Sequence, residues 1–247
     1  IAQQPGNSLL IIGVLALGLA GVIGMLSILK AMVWDPLPFP AADRLIQAGW
    51  RDRATDFPDD VNSLRGADLL EWRERLGERA RVAGQSQATI NLASSDAVER
   101  YDGSFVTANL FATLGVAPTL GRDFLAEDER SGAAPVVILS HDLWRNRFGA
   151  DPAIVGRKVR ANATPATIIG VMPPGFNFPF REQVWMAASL NPTTPNDEDR
   201  QFEVFIEPLT GNAGLAPITG VLEGWIADAQ QSEPGTWKPR ELAVLPL

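Results

Sequence analysis

The sequence predicts an α+β protein in which one N-terminal transmembrane helix precedes a polar domain of mixed helices and strands. Three observations predict it. Of the 50 charged residues among 247, only Lys30 falls before residue 35. Within that charge-poor segment, Leu9 to Leu29 (LLIIGVLALGLAGVIGMLSIL) runs 21 residues without a charge. The remainder alternates short period-two apolar segments with segments of helical period.

The apolar run would form a helix about 31 Å long, which matches the ~30 Å hydrocarbon core of a bilayer. A cleavable signal has a shorter apolar core of about 7–15 residues behind a basic segment, and no basic segment precedes this one. Gly13, Ala16, Ala20, Gly24 and Ser27 recur at spacings of three and four. Such a small-residue stripe lets membrane helices approach closely, although glycine and alanine are also common in any membrane helix. Lys30 alone does not set orientation by the positive-inside rule. The chain begins with Ile rather than Met, so it reads as a piece of a longer one.

After the helix, Leu37-Pro-Phe-Pro40 makes a stiff extended exit. Arg44–Trp50 alternates, with Ile46, Ala48 and Trp50 on one face, and predicts a strand. Asn62 or Ser63 caps a predicted helix running to Leu76, with Leu69, Trp72 and Leu76 as its buried stripe. The polar stretch Ala83–Asp102 predicts short strands and turns. Ser104–Gly115 predicts a short helix with Val106, Leu110 and Leu114 inward and a terminal glycine. Pro135–Leu139 predicts a strand feeding Ser140, the cap of a helix that carries Leu143, Trp144 and Phe148 and closes at Gly149. Lys158–Val171 predicts a β-hairpin ended by Met172-Pro-Pro-Gly175, and Phe202–Ile206 a strand. Leu215, Ile218, Val221, Leu222, Trp225 and Ile226 mark an amphipathic helix, and Leu242–Leu245 a final strand. The acidic runs Asp56–Asp60 and Glu127–Glu129 read as solvated loop or helix-start charges.

The chemistry is sparse. A net charge of −8 argues against a nucleic-acid binder, which needs a basic footprint. With no cysteine and one histidine, disulfide scaffolds, iron–sulfur clusters, thiolate zinc sites and most histidine-based metal sites are excluded. No phosphate-cradling glycine loop, HExxH or GxSxG occurs. Ser140, His141 and Asp142 have the residue types of a hydrolase triad, yet consecutive side chains diverge by about 100° in a helix. A helix N-terminus with Asp142 on its dipole, and His141 exposed in the first turn, is the stronger reading. Asp123, Glu127, Asp128 and Glu129 lack the alternating ligands and central glycine of a calcium loop. Glu71 and Glu74 read as surface charges. No catalytic, cofactor-binding or metal residue is assigned, and the chain is not expected to be an enzyme.

Several ordered stretches resemble the MacB-like periplasmic core domain of bacterial ABC transporter permeases, in the FtsX/MacB class and most like the acidobacterial-type permeases. They are Gln4-Pro-Gly6, PLPFPAADRL (36–45), DLLEWR (68–73), SFVTANLFATLGVAPTLGRDFLAEDE (104–129), VVILSHDLWRNRFGADPAIVGRKV (136–159) and TIIGVMPPGFNFP (167–179), followed by Trp185. The resemblance covers nearly the whole chain and weakens after about Leu190. Two departures stand out. Asn162-Ala163 occupies the place of the family's Asn-Gly turn and predicts a longer loop. Glu207-Pro-Leu-Thr-Gly211 occupies the place of a basic RLKPG-like segment.

The resemblance implies a two-lobed extracytoplasmic domain. A porter-like βαβ lobe would be built from residues 35–85 and 196–247, with a β-rich lobe of residues 86–195 inserted between them and residues 1–34 as the membrane helix and its flank. It also implies a bacterial inner-membrane location, an ATPase subunit in trans, a permease homodimer or heterodimer, and a periplasmic partner or substrate. In that class, ATP-driven motion of membrane helices is passed to the periplasmic domain for export or mechanical work, with no cofactor. Family members re-enter the membrane after this domain, and no second apolar run follows here, so the chain reads as a fragment or a degenerate copy. Two alternatives stand beside this one: a membrane-anchored periplasmic binding module acting without an ATPase, and an anchored hydrolase resting on Ser140–Asp142. In the permease plan both ends of the domain lie at one membrane-proximal face, which predicts that Arg44–Trp50 and Leu242–Leu245 share a lobe.

Overall fold

A helix of 29 residues, α1 (Pro5–Val33), opens the structure, a computed structural model that describes residues 5–33, 41–52, 61–94, 97–190, 200–209, 215–232 and 240–246. Residues 1–37 form one unit by their contacts and residues 38–247 another. The side chains described on α1, those of residues 12–27, are all exposed. Among the described residues, no helix is long and apolar enough to cross a membrane. The exit Leu37–Pro40 and the acidic run Asp56–Asp60 lie outside the described residues.

The second unit is organised by an 11-stranded sheet. β1 (Ile46–Asp52), β2 (Leu64–Arg65), α2 (Gly66–Leu76) and β3 (Ala80–Ser94) come first. β4 (Ala97–Val106), α3 (Leu110–Leu114), β5 (Leu120–Gly121), β6 (Val136–Leu139) and α4 (His141–Phe148) follow. β7 (Lys158–Ala161), β8 (Thr164–Val171), β9 (Val184–Ala187), β10 (Gln201–Pro208), α5 (Ala216–Ser232) and β11 (Arg240–Pro246) complete it.

At one end the strand order is β11-β1-β10-β3, with every neighbouring pair antiparallel. With α2 between β1 and β3 and α5 between β10 and β11, this is the split βαβ arrangement of ferredoxin-like sheets. The expected neighbourhood of the first and last strands is present, since Ile46 opposes Pro246 and Trp50 opposes Leu242. Leu69, Trp72 and Leu76 of α2 and Ile218, Leu222, Trp225 and Ile226 of α5 bury against Ile46, Ala48, Val204 and Ile206. Trp72 and Trp225 meet edge to face at 5.8 Å, a geometry worth about 1 kcal/mol beyond the area it buries. On the opposite face, polar residues pair across the strands: Arg51 with Glu241, Arg81 with Glu207 at 2.8 Å, and Gln85 with Glu203 at 2.8 Å. Such directly opposed pairs favour one register.

At the other end the strands close into a ring, β3-β4-β9-β6-β8-β7, because β7 pairs with both β8 and β3. Ile90, Leu92, Val137, Leu139, Val159, Ile168 and Val184 fill it, joined by Leu143 and Phe148 of α4. Gly103 is required there, since a Cβ would stand 2.4 Å from the Val184 carbonyl and 2.6 Å from Ile90 Cδ1. β3 belongs to both ends, its first half pairing with β10 and its second half with β4 and β7.

The structure corrects several local expectations. Neither Asn62 nor Ser63 caps α2, which begins at Gly66 behind Arg65 and has no side-chain cap. Asn62 instead bridges to Trp50, and the Ser63 carbonyl accepts the Trp50 indole N–H. Ala83–Asp102 is not a set of short strands but most of one long hairpin, β3 and β4. Ser104–Val106 continues β4, and only Leu110–Leu114 is helical, because Thr107 still hydrogen bonds to Gly84 of β3. Leu215 precedes α5 and is exposed. The β7–β8 connection is a tight two-residue turn, with Asn162 at φ 49° and Ala163 at φ 66°. Asn162 exchanges hydrogen bonds with Asn91 of β3, and this anchor holds the turn without the usual glycine.

Candidate functional site

Ser140, His141 and Asp142 sit where β6 passes into α4. Ser140 is buried, and its Oγ accepts the Leu143 N–H at 3.2 Å, so the hydroxyl is committed to the helix. Gly149 closes the helix in the left-handed region. His141 is not an exposed residue: its ring packs edge-on to Trp144 at 5.4 Å, and its Nδ1 is buried without a hydrogen-bond partner. The nearest Asp142 oxygen lies 3.8 Å from that nitrogen, and Asp142 also faces Arg145 at 3.5 Å. No serine-to-histidine-to-aspartate relay is assembled.

The acidic segment 123–129 is divided among separate structural tasks. Asp123 Oδ1 accepts the Phe124 N–H at 2.7 Å. Burial pushes its carboxyl up to about 6, against the opposing backbone bond and the nearby Arg122 charge. Asp128 closes the loop on Arg122 at 2.7 Å and accepts the Leu125 N–H at 2.8 Å. Burial alone would raise the Asp128 carboxyl, but those two partners together hold it below the ordinary carboxylate range. Glu129 was expected to be a solvated charge and is instead 14% exposed, turned onto Arg73 and the Ala108 N–H. Among the described residues, no group of three histidine, cysteine, aspartate or glutamate side chains is placed to hold a metal ion.

A cleft of about 280 Å³ opens beside the β7–β8 turn, its lining including Phe105, Val136, Met186, Asp128, Arg130 and Asn162. Two of its polar groups already serve the fold, Asp128 bonding Arg122 and Asn162 bonding the Asn91 N–H.

A well-connected polar group lies where the four-stranded section meets the ring. The Arg73 guanidinium, on the last turns of α2, donates to Glu129 at 3.1 Å, to Asn109 Oδ1 at 2.6 Å and to the Val82 carbonyl at 3.0 Å. Asn109 Nδ2 donates to the same carbonyl at 3.0 Å. Beside it, Phe178 packs on Phe205 at 5.2 Å, and Phe111 meets Phe124, Phe176 and Trp185 within 5.9 Å. The sequence does not single out Arg73 or Asn109, and it presents Glu129 only as one of a run of acidic residues. Their signal is membership in two of the stretches that carry the family resemblance, Arg73 in DLLEWR (68–73) and both Asn109 and Glu129 in residues 104–129.

The model of the MacB-like periplasmic core domain matches residues 8–211, most of the chain. The chain belongs to this family. Solved structures of ABC transporter domains share the fold. The extracellular domain of the noncanonic ABC-type transporter YknZ from Gram-positive bacteria is 12% identical with a TM-score of 0.58, over 80% of this chain and 98% of that one. The periplasmic region of MacB from Actinobacillus actinomycetemcomitans is 12% identical with a TM-score of 0.58, over 81% and 88%. Among curated proteins, no sequence matches the chain. This MacB-like core domain carries the Arg73 joint between its four-stranded section and its ring, while its Ser140, His141 and Asp142 stand apart from one another in function.

Proposed function

We propose that this MacB-like domain, with α1 as its first membrane helix, is the extracytoplasmic part of an ABC-type permease that passes ATP-driven helix motion to a periplasmic substrate or partner. The observation that carries the proposal is the pairing of β1 with β11, which sets Ile46 opposite Pro246. A domain inserted between membrane helices must receive and return the chain at one place, and adjacent first and last strands do so. The four-stranded section would serve as the porter-like lobe and the ring as the inserted lobe. A displacement applied at the paired strands would then tilt the ring as a lever, with no catalytic residue needed. The 29-residue length of α1 and the absence of charge from Leu9 to Leu29 support its role as an anchor.

The test is alkaline carbonate extraction of bacterial membranes carrying the tagged chain, followed by affinity purification. The intact chain is expected in the pellet and in complex with an ATPase bearing a Walker loop, whereas residues 35–247 are expected in the soluble fraction. Recovery of the intact chain in the supernatant would overturn the anchor. A pelleted chain that never binds an ATPase would overturn the coupling and favour an anchored binding module.

A further inference from the structure

We propose that Arg73 is a positioning residue that locks the ring to the four-stranded section, so that the two move as one body. Continuity between them runs through β3, whose residues 80–85 pair with β10 and whose residues 85–94 pair with β4. A single extended strand resists stretching but not bending or twisting. The apolar contacts beside it, Phe178 on Phe205 among them, supply adhesion with little direction.

Arg73 supplies the direction. It stands off the β3 axis on α2, a helix fastened to the sheet by Leu69, Trp72 and Leu76. From there its planar fork reaches Glu129 with both terminal nitrogens, at 3.1 and 3.4 Å. One of those nitrogens also binds Asn109, and Nε holds Val82 of β3 itself. Glu129 in turn takes the Ala108 N–H, which ties the acidic loop to the start of α3. The side chains of Arg73 and Glu129 are only 23% and 14% exposed, so water screens the pair weakly. The result is a brace with its four acceptors in fixed positions, a role that a flexible lysine ammonium fills poorly. The lever above needs this stiffness, and in that sense the inference rests on the proposed function; the lock itself is a property of the isolated chain.

The test is a distance measurement between spin labels on the full chain in detergent. With no native cysteine, Glu78→Cys on one side and Lys158→Cys on the other label cleanly, and both positions are exposed and outside the brace. The parent should give one narrow distance. Arg73→Ala should roughly double the width, and Arg73→Lys should fall between. Glu129→Gln, which keeps an acceptor for the Ala108 N–H, should widen it as well. An Arg73→Ala protein that is folded and as narrow as the parent would overturn the lock. Should that variant not fold, parent-like widths in both Arg73→Lys and Glu129→Gln would overturn it equally. These widths are read without nucleotide, so loss of an ATP-driven shift in the assembled permease would count against the lever and not against the lock.

Discussion

Gln47 of β1 faces Leu245 of β11 across an antiparallel pair, so residues nearly 200 positions apart meet within one ladder. Directly opposed Cα atoms in such a pair lie about 4.5–5.5 Å apart, inside the range a disulfide spans. The double variant Gln47→Cys/Leu245→Cys should therefore cross-link rapidly under mild oxidation. Because a one-residue slip turns every side chain to the other face, Gln47→Cys with Val244→Cys should react much more slowly. Mobility on non-reducing gels and a mass loss of two hydrogens check both. Equal rates for the two pairs would show that the register is wrong.

A single hydroxyl caps the N-terminus of the helix that follows β6. Ser140 Oγ accepts the Leu143 N–H, and Ser140 is buried, so water cannot replace the bond once it is removed. Ser140→Ala should lower unfolding stability by about 1 kcal/mol, read as a shifted urea midpoint with an unchanged slope. Ser140→Asp should restore the cap in part. An unaltered midpoint in the alanine variant would mean the hydroxyl does not hold the helix.

Local signals were legible in the sequence where their physics is local. The stripe Leu69–Trp72–Leu76 repeats at helical spacing and is fully buried. Ser140 and Gly149 mark the ends of α4 through backbone groups within a few residues. The long β3–β4 hairpin was not legible, because much of its sequence is small or polar: Gly84, Gln85, Ser86 and Gln87 carry little alternation. The strands that flank it, β10 and β7, come from far along the chain. The joint was hidden for the same reason. Arg73 and Glu129 are 56 residues apart, and nothing local in the sequence pairs them until the fold brings them together. The tight turn at Asn162-Ala163 was misread as longer because its anchor, Asn91, lies 71 residues away from Asn162.

That turn holds a residue against its preference. Ala163 sits at φ 66°, where the Cβ of an L-residue crowds the backbone. Ala163→Gly should relieve this and stabilise the protein by about 1 kcal/mol, raising the thermal midpoint by roughly 2–4 °C. The entropy glycine adds to the unfolded chain offsets part of the gain. Asn162→Ala should act in the opposite direction, losing the bond to the Asn91 N–H as well as placing a second alanine at positive φ. Calorimetry of the two variants checks the sign, and a lower midpoint for Ala163→Gly would contradict the turn geometry.

Asp123 makes one part of the stability depend on pH in a predictable sense. Burial raises its carboxyl to about 6 in the folded protein, against about 3.9 in an unfolded chain. The folded state thus binds the proton more tightly, and the stability this contributes is full below the unfolded value and lost as pH rises through about 6. Asp123→Asn removes the titration while keeping an oxygen to accept the Phe124 N–H. The variant should be more stable than the parent at pH 8 by of order 1 kcal/mol, allowing for screening by the solvent that still reaches the group. The advantage should shrink through pH 6 and vanish near pH 4. Asp128, held low by Arg122 and the Leu125 N–H, acts in the other direction and loses its contribution as pH falls. Because it is present in both proteins, it cancels in the difference. Urea midpoints of parent and variant at pH 4, 6 and 8 decide the matter, and a difference that stays constant with pH would remove Asp123 as the titrating group.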